Sequence, residues 1–121
     1  MRYKDNEFWN IINDLIYNEN VKKLEDFTHH YGYNRLEHSI DVAYYSYRIC
    51  KFLNLDYTSV TRAGILHDLF FYDCQDKILC PKFHIWKHPK IALLNAEKLF
   101  TLNDLEKDII LKGCLINYYR G

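Results

Sequence analysis

The scarcity of chain-breaking residues constrains the fold of this sequence more than any other feature. Four glycines and two prolines are spread over 121 residues, so few positions interrupt a regular backbone. Apolar residues recur at the three- and four-residue spacing of amphipathic helices, and we find no alternating strand pattern. The sequence therefore predicts an all-α bundle of about five helices, with residues 1–121 forming a single domain.

Charge and hydropathy exclude several classes of protein. The chain has 16 basic and 16 acidic residues, so we expect no basic surface that follows a nucleic-acid backbone. No apolar run is long enough to span a bilayer, and polar residues interrupt the N-terminal segment where a secretory leader would need an apolar core. The four cysteines match neither a zinc-knuckle nor a CxxC spacing. We expect a cytoplasmic protein that binds neither nucleic acid nor membranes.

The segment RLEHSIDVAYYSYRICKFLNL predicts a long amphipathic helix. One stripe of this helix is apolar and also contains a histidine, and we expect this stripe to face the core. Two shorter helical pieces are predicted before it, from about Asp5 to Asn18 and over residues 21–30. The stripe consists of His38, Val42, Tyr45, Ile49 and Phe52.

The stretch ILHDLFFYD places two ionisable residues, His67 and Asp68, within an apolar run. The surrounding helix is predicted from about Ser59 to Phe71. It is apolar on nearly every face, so we expect it to be the central helix of the bundle. Burying an ionisable pair there costs free energy unless a hydrogen bond or a metal ion satisfies it.

Two further helices are predicted in the last third of the chain. Pro89 suits the first turn of a helix that runs to about Phe100, with His88 as its N-cap. Asn103 and Glu106 have the spacing of a capping box and open the final helix.

The residues His38, His67 and Asp68 form a candidate metal site. Antiparallel neighbouring helices joined by a short loop would bring the three side chains together. Two imidazoles and one carboxylate suit Mn, Fe, Co, Ni or Zn, and such a set leaves coordination positions open for water and a phosphoryl oxygen. Two other interpretations remain open: His38 is a hydrogen-bonded core histidine, or Asp68 caps a helix or pairs with Arg62 or Arg35.

The ordered segments RLEHSIDVAYYSYRI, RAGILHDLFFYD and KHPKIALLNAEKLF resemble the HD-domain superfamily of metal-dependent phosphohydrolases. The resemblance covers about Asn34 to Ile110. It implies an all-helical domain in which His38, His67 and Asp68 bind a divalent cation, Mg included among the candidates. It also implies that His88 stands where members with two metals have a further ligand.

The C-terminal part of the chain departs from that family pattern. The resemblance implies another histidine shortly after LEKDII, where Lys112 and Gly113 stand, and a closing aspartate on a later helix. We therefore expect a partial HD domain that is incomplete at its C-terminal end. Asp108 is a poor substitute, because an acidic residue in the first turns of a helix is already explained by the helix dipole.

These observations support two hypotheses of function. The first is an HD-type phosphohydrolase acting on an unidentified phosphoester or nucleotide, with Asp68 assisting proton transfer and Arg35 and Lys87 contacting substrate phosphate. The alternative is a catalytically impaired HD-fold remnant that acts as a binding or interaction module or has no independent function. An uncovered apolar face would favour homodimers in either case.

Overall fold

The structure is a computed structural model, and it describes residues 3–30, 32–71 and 88–112. These residues contain six α-helices, one short 3-10 helix and two short antiparallel strands, so the predicted all-α class is confirmed. The helices are α1 (Asn6–Ile16), α2 (Glu19–Lys22), α3 (Arg35–Phe52), α4 (Tyr57–Leu66), α5 (His88–Leu99) and α6 (Asp104–Lys112). The 3-10 helix is Lys23–Asp26, and the strands are β1 (Thr28–His30) and β2 (Tyr33–Asn34).

Side-chain caps fix where the site-bearing helices begin. Asn34 and Glu37 form a reciprocal capping box at the start of α3, with N–O distances of 2.8 and 3.2 Å. Asp56 accepts from the backbone of the first turn of α4. The predicted capping box of Asn103 and Glu106 is confirmed at the start of α6, with distances of 2.7 and 3.0 Å. Local sequence therefore determines these helix starts.

The helix α4 lies at the centre of the bundle, as its sequence predicts. It packs against α1, α3, α5 and α6. The predicted amphipathic face of α1 is also confirmed, because it contributes buried apolar side chains to the same core. The core residues of α1 and α4 include Phe8, Ile12, Leu15, Val60, Ala63, Ile65 and Leu66.

The predicted end of this central helix at Phe71 is wrong, because α4 ends at Leu66. His67 is its C-cap residue, and Asp68 lies in the turn that follows. In the turn after α4, side chains of α3 and α5 donate to backbone carbonyls that a continuing helix would have paired internally. Arg35 Nη1 donates to the carbonyl of Phe70 at 2.5 Å, and Asn95 Nδ2 donates to that of Leu69 at 2.8 Å.

The predicted core face of α3 is also wrong. Tyr45, Ile49 and Phe52 on the predicted stripe are 61%, 46% and 87% exposed. Small side chains instead bring α3 close to α4, because a Cβ built on Gly64 would lie 2.8 Å from Ala43 Cα. The buried residues of α3 are Arg35, Leu36, Ser39, Ala43, Ser46, Tyr47 and Cys50.

The segment predicted as one helical piece, residues 21–30, is divided among three elements. It contains the end of α2, the 3-10 helix and then β1, which pairs with β2. Gly32 has a φ of +80°, a backbone conformation that glycine adopts without steric cost, and this allows the tight connection between the strands. No helix in the described ranges is both long enough and apolar enough to cross a bilayer.

Candidate metal centre

Three side chains from α3 and the end of α4 converge at one point. His38, His67 and Asp68 each offer a ligand atom, and these atoms all lie within 4.8 Å of one another. The Asp68 Oδ2 atom is 3.4 Å from His38 Nε2 and 3.3 Å from His67 Nε2. The carboxylate thus lies beside both imidazoles, as the sequence predicted for a ligand set.

The orientation of the His67 ring is fixed by the backbone of its own helix. His67 Nδ1 lies 2.6 Å from the carbonyl oxygen of Gly64. Because a carbonyl can only accept a hydrogen bond, Nδ1 carries the proton, and Nε2 is the atom directed at Asp68. Metal-binding histidines commonly have this arrangement, in which the second ring nitrogen donates to an oxygen.

The electrostatics of the site favour an ionised carboxylate. Burial would raise the pKa of Asp68, but the charge of His67 and hydrogen bonds from His38 and His67 outweigh burial and hold this pKa well below its ordinary value. Burial would lower the pKa of His67, yet the Asp68 charge and the hydrogen bonds raise it above its ordinary value. Asp68 is therefore an anion suited to bind a cation, and its depressed pKa makes it a weak proton acceptor.

Gly64 is a positioning residue that the sequence reasoning missed. Its carbonyl accepts from His67, and its lack of a side chain allows α4 to approach Ala43 of α3. The close approach of the two helices is what brings His67 to His38. The available signal was a glycine inside a helix, three residues before the His-Asp pair, in a chain with four glycines.

Side chains of α3 and α5 hold the turn after Asp68. The guanidinium carbon of Arg35 lies 3.9 Å from the centre of the Phe70 ring and 4.7 Å from that of Phe27. Arg35 is 4% exposed and also donates to the Phe70 carbonyl. Asn95 supports the same turn from α5 through Leu69. Sequence reasoning gave Arg35 as a phosphate contact and did not find Asn95.

The other predicted site residues lie outside the three-residue group. The His88 ring stacks on the Phe70 ring at 4.2 Å between centroids, with an interplanar angle of 22°. Its helix starts at His88 itself, which the sequence had assigned as the N-cap. Lys87 and Gly113 lie outside the described residues.

One of the two alternative partners of Asp68 weighed from the sequence, Arg62, is engaged elsewhere. Arg62 donates to Asp14 through two nitrogens, at 2.7 and 2.9 Å, and its Nε lies 3.4 Å from Glu106 Oε2. Asp108 is an exposed residue whose carboxylate lies 3.2 Å from Lys112 Nζ, so its prediction as a surface charge is confirmed.

Comparison with protein-family models, curated proteins and solved structures gives no match for this chain. The chemistry of the site is therefore inferred from its own geometry.

The donor types, and two of their three separations, are compatible with a first-row divalent cation. Metal–ligand distances of about 2.1 Å place adjacent donors of a tetrahedron about 3.4 Å apart. The separations of 3.3 and 3.4 Å between Asp68 and the two histidines agree with that value. Two imidazoles and a carboxylate are the donor types preferred by Mn, Fe, Co, Ni and Zn, whereas Mg prefers a set richer in oxygen.

Proposed function

We propose that the protein is an HD-type, metal-dependent phosphohydrolase acting on a phosphoester or nucleotide. The observation that carries the proposal is the convergence of His38, His67 and Asp68 with their ligand atoms within 4.8 Å. Support also comes from the order of these residues along the chain, which resembles the HD-domain pattern.

Each residue of the group has a distinct role in the proposed reaction. His38 and His67 supply neutral imidazole nitrogens, and Asp68 supplies the negative charge that balances a divalent cation. A cation in such a site polarises a phosphoryl oxygen and lowers the pKa of water. We retain Asp68 as the candidate group that assists proton transfer, a role in which its depressed pKa would make it a weak base.

Residues around the group suggest how a phosphate would be approached. His88 packs on Phe70 and therefore lies close to the turn that follows Asp68. We retain His88 as the weaker candidate ligand and Lys87 as a candidate phosphate contact. Arg35 mainly supports the turn, because its buried guanidinium lies against the rings of Phe27 and Phe70.

Metal loading tests the ligand assignment directly. Metal-depleted protein is equilibrated with Mn, Fe, Co, Ni, Zn or Mg, dialysed and analysed for bound metal. We expect about one ion per chain for at least one of these metals, and loss of that ion in His38→Ala, His67→Ala and Asp68→Asn. Asp108→Asn is the matched carboxylate control and should load as the unaltered protein does. Equal loading of all variants would contradict the assignment.

Turnover tests the proposed reaction. The metal-loaded protein is assayed against nucleoside mono- and triphosphates, cyclic dinucleotides and p-nitrophenyl phosphate, with release of phosphate or nucleotide as the readout. We expect hydrolysis that His38→Ala and Asp68→Asn abolish and Asp108→Asn preserves. Hydrolysis that persists in His38→Ala would indicate a contaminating phosphatase.

One observation favours a second candidate, an HD-fold module that binds a metal or phosphorylated ligand without hydrolysing it. Within residues 3–30, 32–71 and 88–112, the group contains three ligands. Lys112, at the place where the family resemblance implies another histidine, lies beside Asp108. Stoichiometric metal binding without hydrolysis of any tested phosphoester would favour this module over the enzyme.

A further inference from the structure

The outer face of α3 exposes large apolar side chains in a continuous stripe. Tyr45, Ile49 and Phe52 are 61%, 46% and 87% exposed and occupy positions i, i+4 and i+7 of one helix face. The half-buried Val42 extends the stripe toward His38. We call this surface, made of Val42, Tyr45, Ile49 and Phe52, the α3 stripe. An apolar patch of this kind on a soluble helix commonly marks an interaction site.

Charged residues run along one edge of the α3 stripe, and the acidic ones precede the basic ones along the helix. Glu37 and Asp41 lie in the first half of the helix, whereas Arg48 and Lys51 lie in the second half. Asp41 and Arg48 project from nearly the same side, about 20° apart around the helix axis. The edge is therefore acidic toward the N-terminal end of α3 and basic toward the C-terminal end.

Intramolecular contacts hold these charges in position. Asp41 accepts hydrogen bonds from the phenols of Tyr3 and Tyr33. Arg48 donates to the hydroxyl of Tyr44 at 2.8 Å. The edge thus presents a fixed pattern of charge to any surface that packs on the stripe.

We propose that a second copy of this chain packs on the α3 stripe in an antiparallel, two-fold symmetric arrangement. A two-fold axis perpendicular to both helices reverses the helix direction but keeps the two charged edges on the same side. Asp41 then faces the partner's Arg48, whereas Lys51 pairs with Glu7 of its own chain. A parallel arrangement would place the two charged edges on opposite sides of the interface, where they would not meet.

The pairing of charges also fixes the register. The midpoint of Asp41 and Arg48 falls beside Tyr45, so the two Tyr45 side chains meet at the axis. Residues equally distant from Tyr45 in opposite directions then face each other, which places the partner's Phe52 opposite His38. Formation of this interface does not depend on a metal.

Measurement of the association constant tests the proposal. Sedimentation equilibrium of the full chain over about 1 to 100 μM should show a reversible dimer. Phe52→Ser should raise the dissociation constant by about 30-fold or more, because a two-fold symmetric dimer loses this aromatic anchor on both sides of the interface. Leu94→Ser is the matched control, since Leu94 is 60% exposed on α5, and it should leave the constant unchanged. Both substitutions fall on exposed positions, so circular dichroism should be unaltered.

A charge exchange tests the antiparallel register. Arg48→Asp places two acidic residues opposite each other, and Asp41→Arg places two basic residues opposite each other, so each variant alone should dimerise more weakly by about 10-fold or more. An equimolar mixture should form a heterodimer in which every facing pair is again acid against base.

Four outcomes would overturn the proposal. The first is a monomeric chain throughout the concentration range, and the second is equal dimerisation of Phe52→Ser and Leu94→Ser. The third is failure of the mixed charge variants to associate. The fourth is a monomer that dimerises after removal of residues 113–121, because the stripe would then be covered by the chain's own C-terminal segment.

Discussion

At the scale of single residues, Gly64 connects the packing of the bundle to the candidate metal centre. Its carbonyl orients the His67 ring, and its missing side chain permits the contact with Ala43. Both contributions depend on the same backbone position, so a substitution there is expected to disturb stability and metal binding together.

We predict that Gly64→Ala lowers the free energy of unfolding by about 1 to 3 kcal/mol and weakens metal binding. The added methyl group would lie 2.8 Å from Ala43 Cα, so α3 and α4 must separate. Chemical denaturation and metal titration measure the two effects. Gly32→Ala is the matched control: it forces alanine into a φ of +80° far from any neighbour and should lower stability without changing metal affinity. Equal metal affinity of the two variants would contradict the role of Gly64.

The protonation of His67 predicts a pH dependence of metal binding. Its pKa is raised above the ordinary value of 6.5, so the proton competes with the metal for Nε2. Affinity for the metal should therefore increase as the pH rises above 6.5, with release of a proton on binding. Titration calorimetry in buffers of different ionisation enthalpy measures that proton.

Without metal, the stability of the fold depends on pH in the opposite direction. The stability from the imidazolium–carboxylate pair is present at low pH and is lost as the pH rises through the raised pKa of His67.

At the scale of elements, the sequence predicted features that depend on neighbouring residues. The all-α class, the capping box at Asn103 and the central position of α4 follow from local pattern and residue type. The grouping of His38, His67 and Asp68 was predicted from the adjacency of two antiparallel helices and the order of these residues along the chain. The end of α4 and the buried face of α3 depend on distant residues. Arg35 and Asn95 donate the hydrogen bonds that hold the turn after α4. The close approach of the two helices at Gly64 leaves room only for small side chains on the facing surface of α3. Periodicity favours large apolar residues as core, so it selected the exposed stripe.

The turn after Asp68 gives a prediction at this scale. Arg35→Met should lower the free energy of unfolding by about 1 to 3 kcal/mol, because the buried Phe70 carbonyl loses its donor. Metal affinity should fall as well, since the turn carries Asp68. The free energy of unfolding and the metal affinity are both measured without substrate, so they report on support of the turn and not on phosphate binding. Unchanged stability and metal affinity, with a weaker substrate interaction, would assign Arg35 to phosphate instead.

At the scale of the whole molecule, a polar cluster remote from the metal centre ties α1 to α3 and α4. Glu7 accepts hydrogen bonds from Tyr47 and Tyr57, each at 2.9 Å, and pairs with Lys51. The hydrogen bond from Lys51 and those from the two phenols lower the pKa of Glu7 to about 2. Burial raises the pKa of Tyr47 to about 12, and its hydrogen bond to Glu7 acts in the same direction.

This cluster predicts how the fold responds to acid. The contribution of Glu7 is present above its ordinary pKa of 4.5 and is lost as the pH falls toward about 2, because the depressed pKa means that the unfolded chain takes up the proton first. Thermal unfolding of Glu7→Gln should therefore depend less on pH in this window than that of the unaltered chain. Glu97→Gln is the control, because Glu97 Oε2 lies 3.9 Å from Lys107 Nζ at the surface and, among the described residues, Glu97 belongs to no such cluster. Identical acid profiles for Glu7→Gln and the unaltered protein would contradict the prediction.

Anomalous diffraction from crystals grown with Zn or Mn gives the sharpest test of whether His38, His67 and Asp68 bind one divalent cation. We predict a single strong anomalous peak within about 2.0 to 2.3 Å of His38 Nε2, His67 Nε2 and an Asp68 carboxylate oxygen. A crystal in which the metal occupies other residues while these three side chains remain without it would contradict this prediction.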